Sequence, residues 1–365
     1  MHLHKVFGFP STLLANWEEL TILGLLIIIF AKITHFDACD TLLMPSSTEA
    51  PSEAKDECTP RKPISLEARL RVNSLDKIPT EVTQEEILPQ KGAFRIPRIL
   101  HQTWKTRDIP IMFHSWIKSF LDNNKNWTYR FWSDESARQL VRTKYPMFLP
   151  FYDHYSHGIF RADAIRYILL YEYGGVYADI DIKSLRPLDP FLRKYACLLG
   201  QEPHEHPILE SRFDGLACNA LMACRKEHPF MQLLIQSLPF FYHFPMCLAA
   251  TGPHFLTLQY RNYIAANQFL DSTDDDGVYL APPEYFFPSL DSDKFDFFRM
   301  TCYRLEYLPN MTRWACEALA NRGYERKPCA FSYTQHMWYH TYGHETDINT
   351  METADILMLA PDAVF

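Results

Sequence analysis

Residues 160–189 read FRADAIRYILLYEYGGVYADIDIKSLRPLD, and this stretch decides the fold. A helix is predicted over 158–173, stopped by Gly174-Gly175 in the manner of a glycine C-cap. A strand is predicted over 176–182. Asp163 and Arg166 lie three apart on the helix, so they share a face and can address one ligand. On a strand, Asp179 and Asp181 are two apart and point to the same side. Two carboxylates so placed leave the other positions of an octahedral ion to diphosphate oxygens and water. That chemistry suits Mn²⁺ or Mg²⁺ rather than zinc. A bare Asp-x-Asp arises often by chance, and an i,i+3 Asp–Arg pair is usually a surface ion pair of well under ~1 kcal/mol. The weight comes from the order: acidic-Arg helix, Gly-Gly stop, Tyr-x-Asp-x-Asp strand. Tyr177 in that run reads as packing.

Outward from this block, strands and helices alternate. Residues 96–100 predict a buried strand running into a polar turn, 111–121 a helix and 128–132 a short strand. Ser133 is a plausible N-cap for a helix to about Lys144, with Asp134 and Glu135 in its first turn. A strand follows at 196–200, and helices at 228–238 and 253–264. The alternation argues for an α/β sheet domain over 94–345, with ligands gathered at the carboxyl ends of strands. Residues 201–207, QEPHEHP, read as an exposed loop; acceptor selection, with a second metal contact, is their functional alternative. Residues 346–365 read as a C-terminal tail.

The chain ahead of this domain has a different character. After a short N-terminal tail (1–16), residues 17–36 enclose the run LTILGLLIIIFA, long enough to span a bilayer core of ~30 Å. Lys32 and Trp17 sit where interfacial anchors are common. A signal-anchor is the favoured reading and a cleaved secretory signal the alternative; no small-x-small site follows directly. Residues 37–93 are rich in Pro, Ser, Thr and Glu without apolar periodicity, and read as a flexible stem.

The bulk composition restricts the function. The formal net charge of −8 argues against a nucleic-acid binder, which needs a basic face. The nine cysteines form no C-x-x-C pair, which disfavours a structural zinc site. Their pairing cannot be read from spacing. The sequons at Asn126 and Asn310 are compatible with a lumenal chain.

The run F-R-A-D-x-x-R-Y-x-x-L-Y-x-Y-G-G-V-Y-x-D-I-D resembles the sugar-binding region of glycosyltransferase family 32. It is most similar to the fungal α-mannosyltransferases that modify inositol phosphoceramide or start outer N-glycan chains. Ile96 to Trp104 (IPRILHQTW), Asn219 to Ala223, Thr251-Gly252-Pro253 and His336-Met337-Trp338 extend the resemblance in order. It implies a GT-A fold, a Rossmann-like mixed sheet flanked by helices, and a retaining transfer from a nucleotide-sugar. GDP-mannose is the first choice of donor; the alternative is a UDP-sugar, as for an α-1,4-galactosyl- or N-acetylglucosaminyltransferase of the family; the acceptor is a glycolipid or glycan. It also implies a type II enzyme of the Golgi membrane with a lumenal catalytic domain. Carried over residue by residue, Asp179 and Asp181 hold the metal and diphosphate. Asp163 and Arg166 grip the donor, and Arg166 stabilises leaving-group charge. Asn219 reaches the reacting sugar, and Gln102, Thr103, Trp104 and Gly175 border the donor. His336 and Trp338 close over the diphosphate, with His336 able to complete the metal sphere.

Two rivals compete with this reading. A haloacid-dehalogenase-like phosphatase also uses Asp-x-Asp after a strand, but Lys183 follows Asp181-Ile182 and no later Gly-Asp motif appears. A degenerate transferase acting as a lectin is the non-enzyme alternative, favoured by loss of either Asp; both are present.

Overall fold

The computed structural model describes residues 92–321, 327–341 and 348–365. The anchor assigned to 17–36 and nearly all of the stem lie outside the described residues. Among those described, no helix is long and apolar enough to cross a membrane.

Ten strands are described: β1 (Ile99–Trp104), β2 (Asp108–Pro110), β3 (Thr128–Ser133), β4 (Gly175–Ala178), β5 (Ile182–Ser184), β6 (Cys197–Gln201), β7 (Ala217–Cys224), β8 (Tyr279–Ala281), β9 (Thr334–His336) and β10 (Thr353–Asp355). Six make one sheet in the order β3-β1-β4-β7-β6-β8. Strands β3, β1 and β4 are mutually parallel, β7 is antiparallel to β4 and β6, and β8 is parallel to β6. Only β7 runs against the others. The carboxyl ends of β1, β4 and β6 therefore share one edge of the sheet, together with the amino end of β7. This is the mixed sheet that the sequence led us to expect.

Both faces of the sheet are buried. One carries the helices Gly158–Tyr173, Pro229–Phe241 and Pro253–Ala266, through side chains such as Leu169, Met222, Phe230 and Phe255. The other carries His114–Asn123 and Asp189–Lys194, with Ile117, Phe131 and Phe191 in its core. A smaller cluster sets Phe298, Cys316 and Leu319 against Ile208 and Leu209, tied by a Cys302–Cys316 disulfide. A second disulfide joins Cys197 to Cys224, which face each other across β6 and β7.

The Gly-Gly stop has a specific steric cause. Gly174 takes φ 63° and its N–H closes the helix on the Leu170 carbonyl at 3.0 Å. Gly175 takes φ 107°, and a Cβ there would stand 2.5 Å from the Ile99 carbonyl oxygen. The two glycines thus let β4 start directly beside β1. His101 fixes the same corner from β1. Its buried ring meets the Gly174 carbonyl through Nε2 at 2.9 Å and accepts the Trp132 indole N–H at Nδ1. Burial lowers its pKa to about 4, so it stays neutral.

Three sequence expectations change. The first strand is not 96–100 followed by a polar turn. Pro97 has no N–H for a ladder, so pairing starts at Ile99 and runs through Trp104, burying His101 and Gln102. The strand over 176–182 is two strands, with Asp179 to Asp181 in the turn between them, closed by Ile182 N–H on the Asp179 carbonyl at 3.1 Å. The segment read as a tail beyond 345 packs back on the domain. There β10 pairs antiparallel with β2, and Val364 bonds the backbone of Tyr129 and Phe131 along the free side of β3.

Candidate active site

The site forms where the strand ends meet. The carboxyl end of β4 delivers the Asp179–Asp181 turn, and the Asp179 N–H donates to Ala220 of β7 at 2.8 Å. The turn feeds β5, which pairs antiparallel with β9 and sets Ile182 opposite His336. The two carboxylates and the His336 ring converge, with one potential ligand atom from each lying within 4.8 Å of the others.

Asp181 is almost fully buried and is held from three directions. Its Oδ2 lies 3.2 Å from His336 Nε2 and accepts the Tyr339 N–H at 3.0 Å, and its carbonyl accepts the Met337 N–H. Burial works against its charge, but His336 and the Tyr339 N–H outweigh it and hold the carboxyl below the usual value. His336 responds in the opposite sense. Burial lowers its proton affinity, and Asp181 more than restores it. Its Nδ1 is buried with no hydrogen-bond partner among the described residues. Asp179 keeps a 27% exposed side chain. Burial raises its pKa, opposed by Arg166 and reinforced by Asp181. Two carboxylates and an imidazole make an O,O,N donor set able to hold a divalent cation. The crowding of negative charge gives a physical reason for a cation there.

Behind the turn stands a buried polar cluster. Arg166 Nη2 lies 3.3 Å from both Asp163 Oδ1 and Asp179 Oδ1, and Nη1 donates to the Asn219 carbonyl at 2.8 Å. The guanidinium also stacks over the Tyr177 ring, 4.7 Å from its centroid. Asp163 accepts from Asn219 Nδ2 at 2.9 Å and from Thr251 Oγ1 at 3.0 Å. Burial lifts its pKa to about 6 against the opposing pull of Arg166. Gly252 is packed so closely that a Cβ would lie 3.2 Å from Asp163 Oδ2.

The structure thus brings Asp163, Arg166, Asp179, Asp181, Asn219 and His336 into one cluster. Trp338 supports it from behind: its ring centroid is 4.1 Å from that of His336, and its indole N–H donates to the Ser289 carbonyl. Trp104 ends β1 half-buried, edge-on to Phe113, at the rim of the sheet edge. The other three residues expected to border the donor have internal roles. Gln102 is fully buried, accepting from Tyr129 and reaching back to the Asp179 carbonyl. Thr103 bonds the Tyr177 hydroxyl at 3.0 Å, and Gly175 serves the β1–β4 contact.

Three contributors have roles beyond those read from the sequence. Tyr177 is more than packing, since its hydroxyl donates to Asp179 Oδ1 at 2.7 Å; the two-residue spacing to Asp179 was the available signal. Thr251 bonds Asp163, and Tyr167 secures the Thr251 carbonyl at 2.6 Å. Residues 201–207 are not an exposed loop, because Glu202 through Pro207 are all buried.

Comparison with known proteins finds similarity over the same part of the chain. Residues 110–198 match the model of a glycosyltransferase sugar-binding region containing the DXD motif. Among curated proteins it is similar to inositol phosphoceramide mannosyltransferase 3 of Schizosaccharomyces pombe, 39% identical over 49% of this chain and 48% of that one. It is similar also to mannosyl phosphorylinositol ceramide synthase SUR1 of Saccharomyces cerevisiae, 36% identical over 46% of this chain and 42% of that one. The initiation-specific α-1,6-mannosyltransferase of the same yeast is 24% identical over 49% of this chain and 40% of that one. The chain spans about half the length of these relatives.

Proposed function

We propose that this protein is a retaining glycosyltransferase that moves mannose from GDP-mannose to a hydroxyl of a glycolipid or glycan. The observation that carries the reading is the convergence of Asp179, Asp181 and His336 beside the buried Arg166–Asp163–Asn219 cluster. A divalent ion held by the triad would supply Lewis-acid stabilisation of the charge that builds on the departing diphosphate. The protein's own part is positioning. Arg166 is fixed by a carbonyl and two carboxylates, so its charge stands ready beside the diphosphate end without reorganising. Asp163 orients the Asn219 amide, a neutral group that can direct the sugar and cannot attack it. The names of the mannosyltransferase relatives support mannose as the sugar and an inositol-containing sphingolipid as one acceptor.

Lumenal, membrane-anchored placement in the Golgi is part of the same proposal. It rests on the apolar stretch at 17–36 and is supported by the exposure of Asn126 and Asn310 in the two sequons. The test is donor hydrolysis and transfer by the purified protein with Mn²⁺, offered GDP-mannose, UDP-galactose and UDP-N-acetylglucosamine. Turnover confined to a UDP-sugar would remove the mannose assignment in favour of the α-1,4-galactosyl- or N-acetylglucosaminyltransferase reading. Full metal-dependent activity in Asp181→Asn would remove the site assignment itself.

A further inference from the structure

The donor and metal contacts above make no use of Glu202, and its burial calls for a cause. Its N–H donates to the Leu216 carbonyl at 2.9 Å, continuing the β6–β7 pairing one residue beyond Gln201. Glu202 therefore stands on the sheet edge where β4 delivers Asp179 and β7 begins its approach to Asn219. Its carboxylate lies 3.4 Å from His206 Nδ1, with side-chain exposures of 11% for Glu202 and 4% for His206.

His206 is not free to turn away. The Asp291 N–H donates to its Nε2 at 3.0 Å, which leaves the proton of the neutral ring on Nδ1, the nitrogen nearest Glu202. The ring also meets Trp338 edge-on at 4.8 Å, and Trp338 in turn packs on His336. Contacts run without a break from Glu202 to the metal-binding triad.

A carboxylate offers about four acceptor positions, and His206 Nδ1 approaches one of its oxygens to 3.4 Å. Burying the group this far costs stability unless further donors reach it. The hydrogen bonds of Asp163, Arg166 and Asn219 do not include it.

We propose that Glu202, oriented by His206, is the acceptor-side contact of the site, accepting hydrogen bonds from hydroxyls of a polyol headgroup presented to the donor sugar. The assignment rests on the glycosyltransferase reading. It names a class of acceptor chemistry, neighbouring hydroxyls on a ring, which a cyclitol or a sugar could supply. Glu202 binds the acceptor, and His206 is a positioning residue that acts through it.

The experiment is steady-state kinetics on the full-length protein in detergent with Mn²⁺ and whichever donor it uses. The acceptor probes are myo-inositol 1-phosphate and methyl α-mannoside. Glu202→Gln should raise the acceptor KM at least tenfold while the donor KM moves less than twofold. His206→Phe keeps a ring against Trp338 and loses the N–H. It should raise the acceptor KM severalfold, and His206→Gln, which restores an N–H donor, should recover most of the loss. The probe whose KM responds identifies the acceptor as cyclitol or sugar. An unchanged acceptor KM in Glu202→Gln, or a parallel rise in both KM values, overturns the proposal and leaves the transferase reading intact. Absence of transfer or hydrolysis by the wild-type protein with every donor overturns the reading and this proposal with it.

Discussion

Replacing Asp163 with asparagine should make the protein more stable and less active, by an amount that grows with pH. The ordinary carboxylate value of 3.8 is raised to about 6 here, chiefly by burial. Below the lower value the group is protonated whether the chain is folded or not, so it exacts no penalty. As pH rises, the unfolded chain ionises first, and the native state loses stability until Asp163 itself ionises near 6. One pKa unit is worth about 1.4 kcal/mol, so the loss is complete by pH 7–8 at roughly 3 kcal/mol. Asparagine stays neutral and fits the same contacts. Its oxygen can accept from Asn219, while its amide can donate to Thr251 Oγ1, whose own proton can turn to the Cys247 carbonyl at 3.4 Å. Urea unfolding of the two proteins in EDTA, followed by tryptophan fluorescence from pH 4 to pH 8, measures the difference. Asp163→Asn should match the wild type within about 1 kcal/mol at pH 4 and exceed it by up to about 3 kcal/mol at pH 8. Transfer activity should fall by roughly a hundredfold, the scale of a lost charge-assisted hydrogen bond. A variant less stable than wild type at pH 8, or a difference that does not move with pH, would show that Asp163 is not the strained charge described here.

Other contacts give sharper local tests. Tyr177→Phe removes the hydroxyl that donates to Asp179 Oδ1; Mn²⁺ affinity by calorimetry should weaken about tenfold, the lower end for groups that orient a metal ligand. Gly175→Ala forces a Cβ to within 2.5 Å of the Ile99 carbonyl oxygen at a φ of 107°. It should cost at least about 3 kcal/mol, read as a lower denaturant midpoint, because the close contact adds to the strain of the left-handed backbone. Reducing the Cys302–Cys316 bridge, which closes a separation of 14 residues, should cost roughly 3 kcal/mol by chain entropy. A Cys302→Ala, Cys316→Ala pair with an unchanged unfolding midpoint would refute that estimate.

The part of the fold that was legible in the sequence is the part written locally. The helix over 158–173 and its Gly-Gly end depend on residues adjacent in the chain, and both stand where they were read. The turn at Asp179–Asp181 was hidden because VYADIDI alternates as a single strand would. It breaks because Ile182 leaves the main sheet and pairs with His336, a decision made by a distant segment. Glu202 to Pro207 misled for a related reason. Charge and histidine content signal a surface unless partners exist, and here His206 is bonded by Asp291, 85 positions away. Asp163, Arg166, Asn219 and the two aspartates were named through their resemblance to a known motif, and the fold brings them together. Thr251 and Tyr177 were not assigned, since a hydroxyl shows no preference for function over packing until its partner is placed.

The pairing of β5 with β9 also sets an order of events. Asp181 receives its backbone N–H from Tyr339, 158 positions later in the chain. Until that strand has been synthesised and has folded back, the Asp179–Asp181 turn lacks its imidazole and the backbone N–H groups of Met337 and Tyr339. Closing so long a loop is slow compared with forming the helix and turn that precede it. A ribosome-bound chain could therefore build most of the sheet and still be unable to capture an ion tightly. Completion of the metal site would then coincide with the docking of His336 and Trp338, making metal affinity a late signature of native folding.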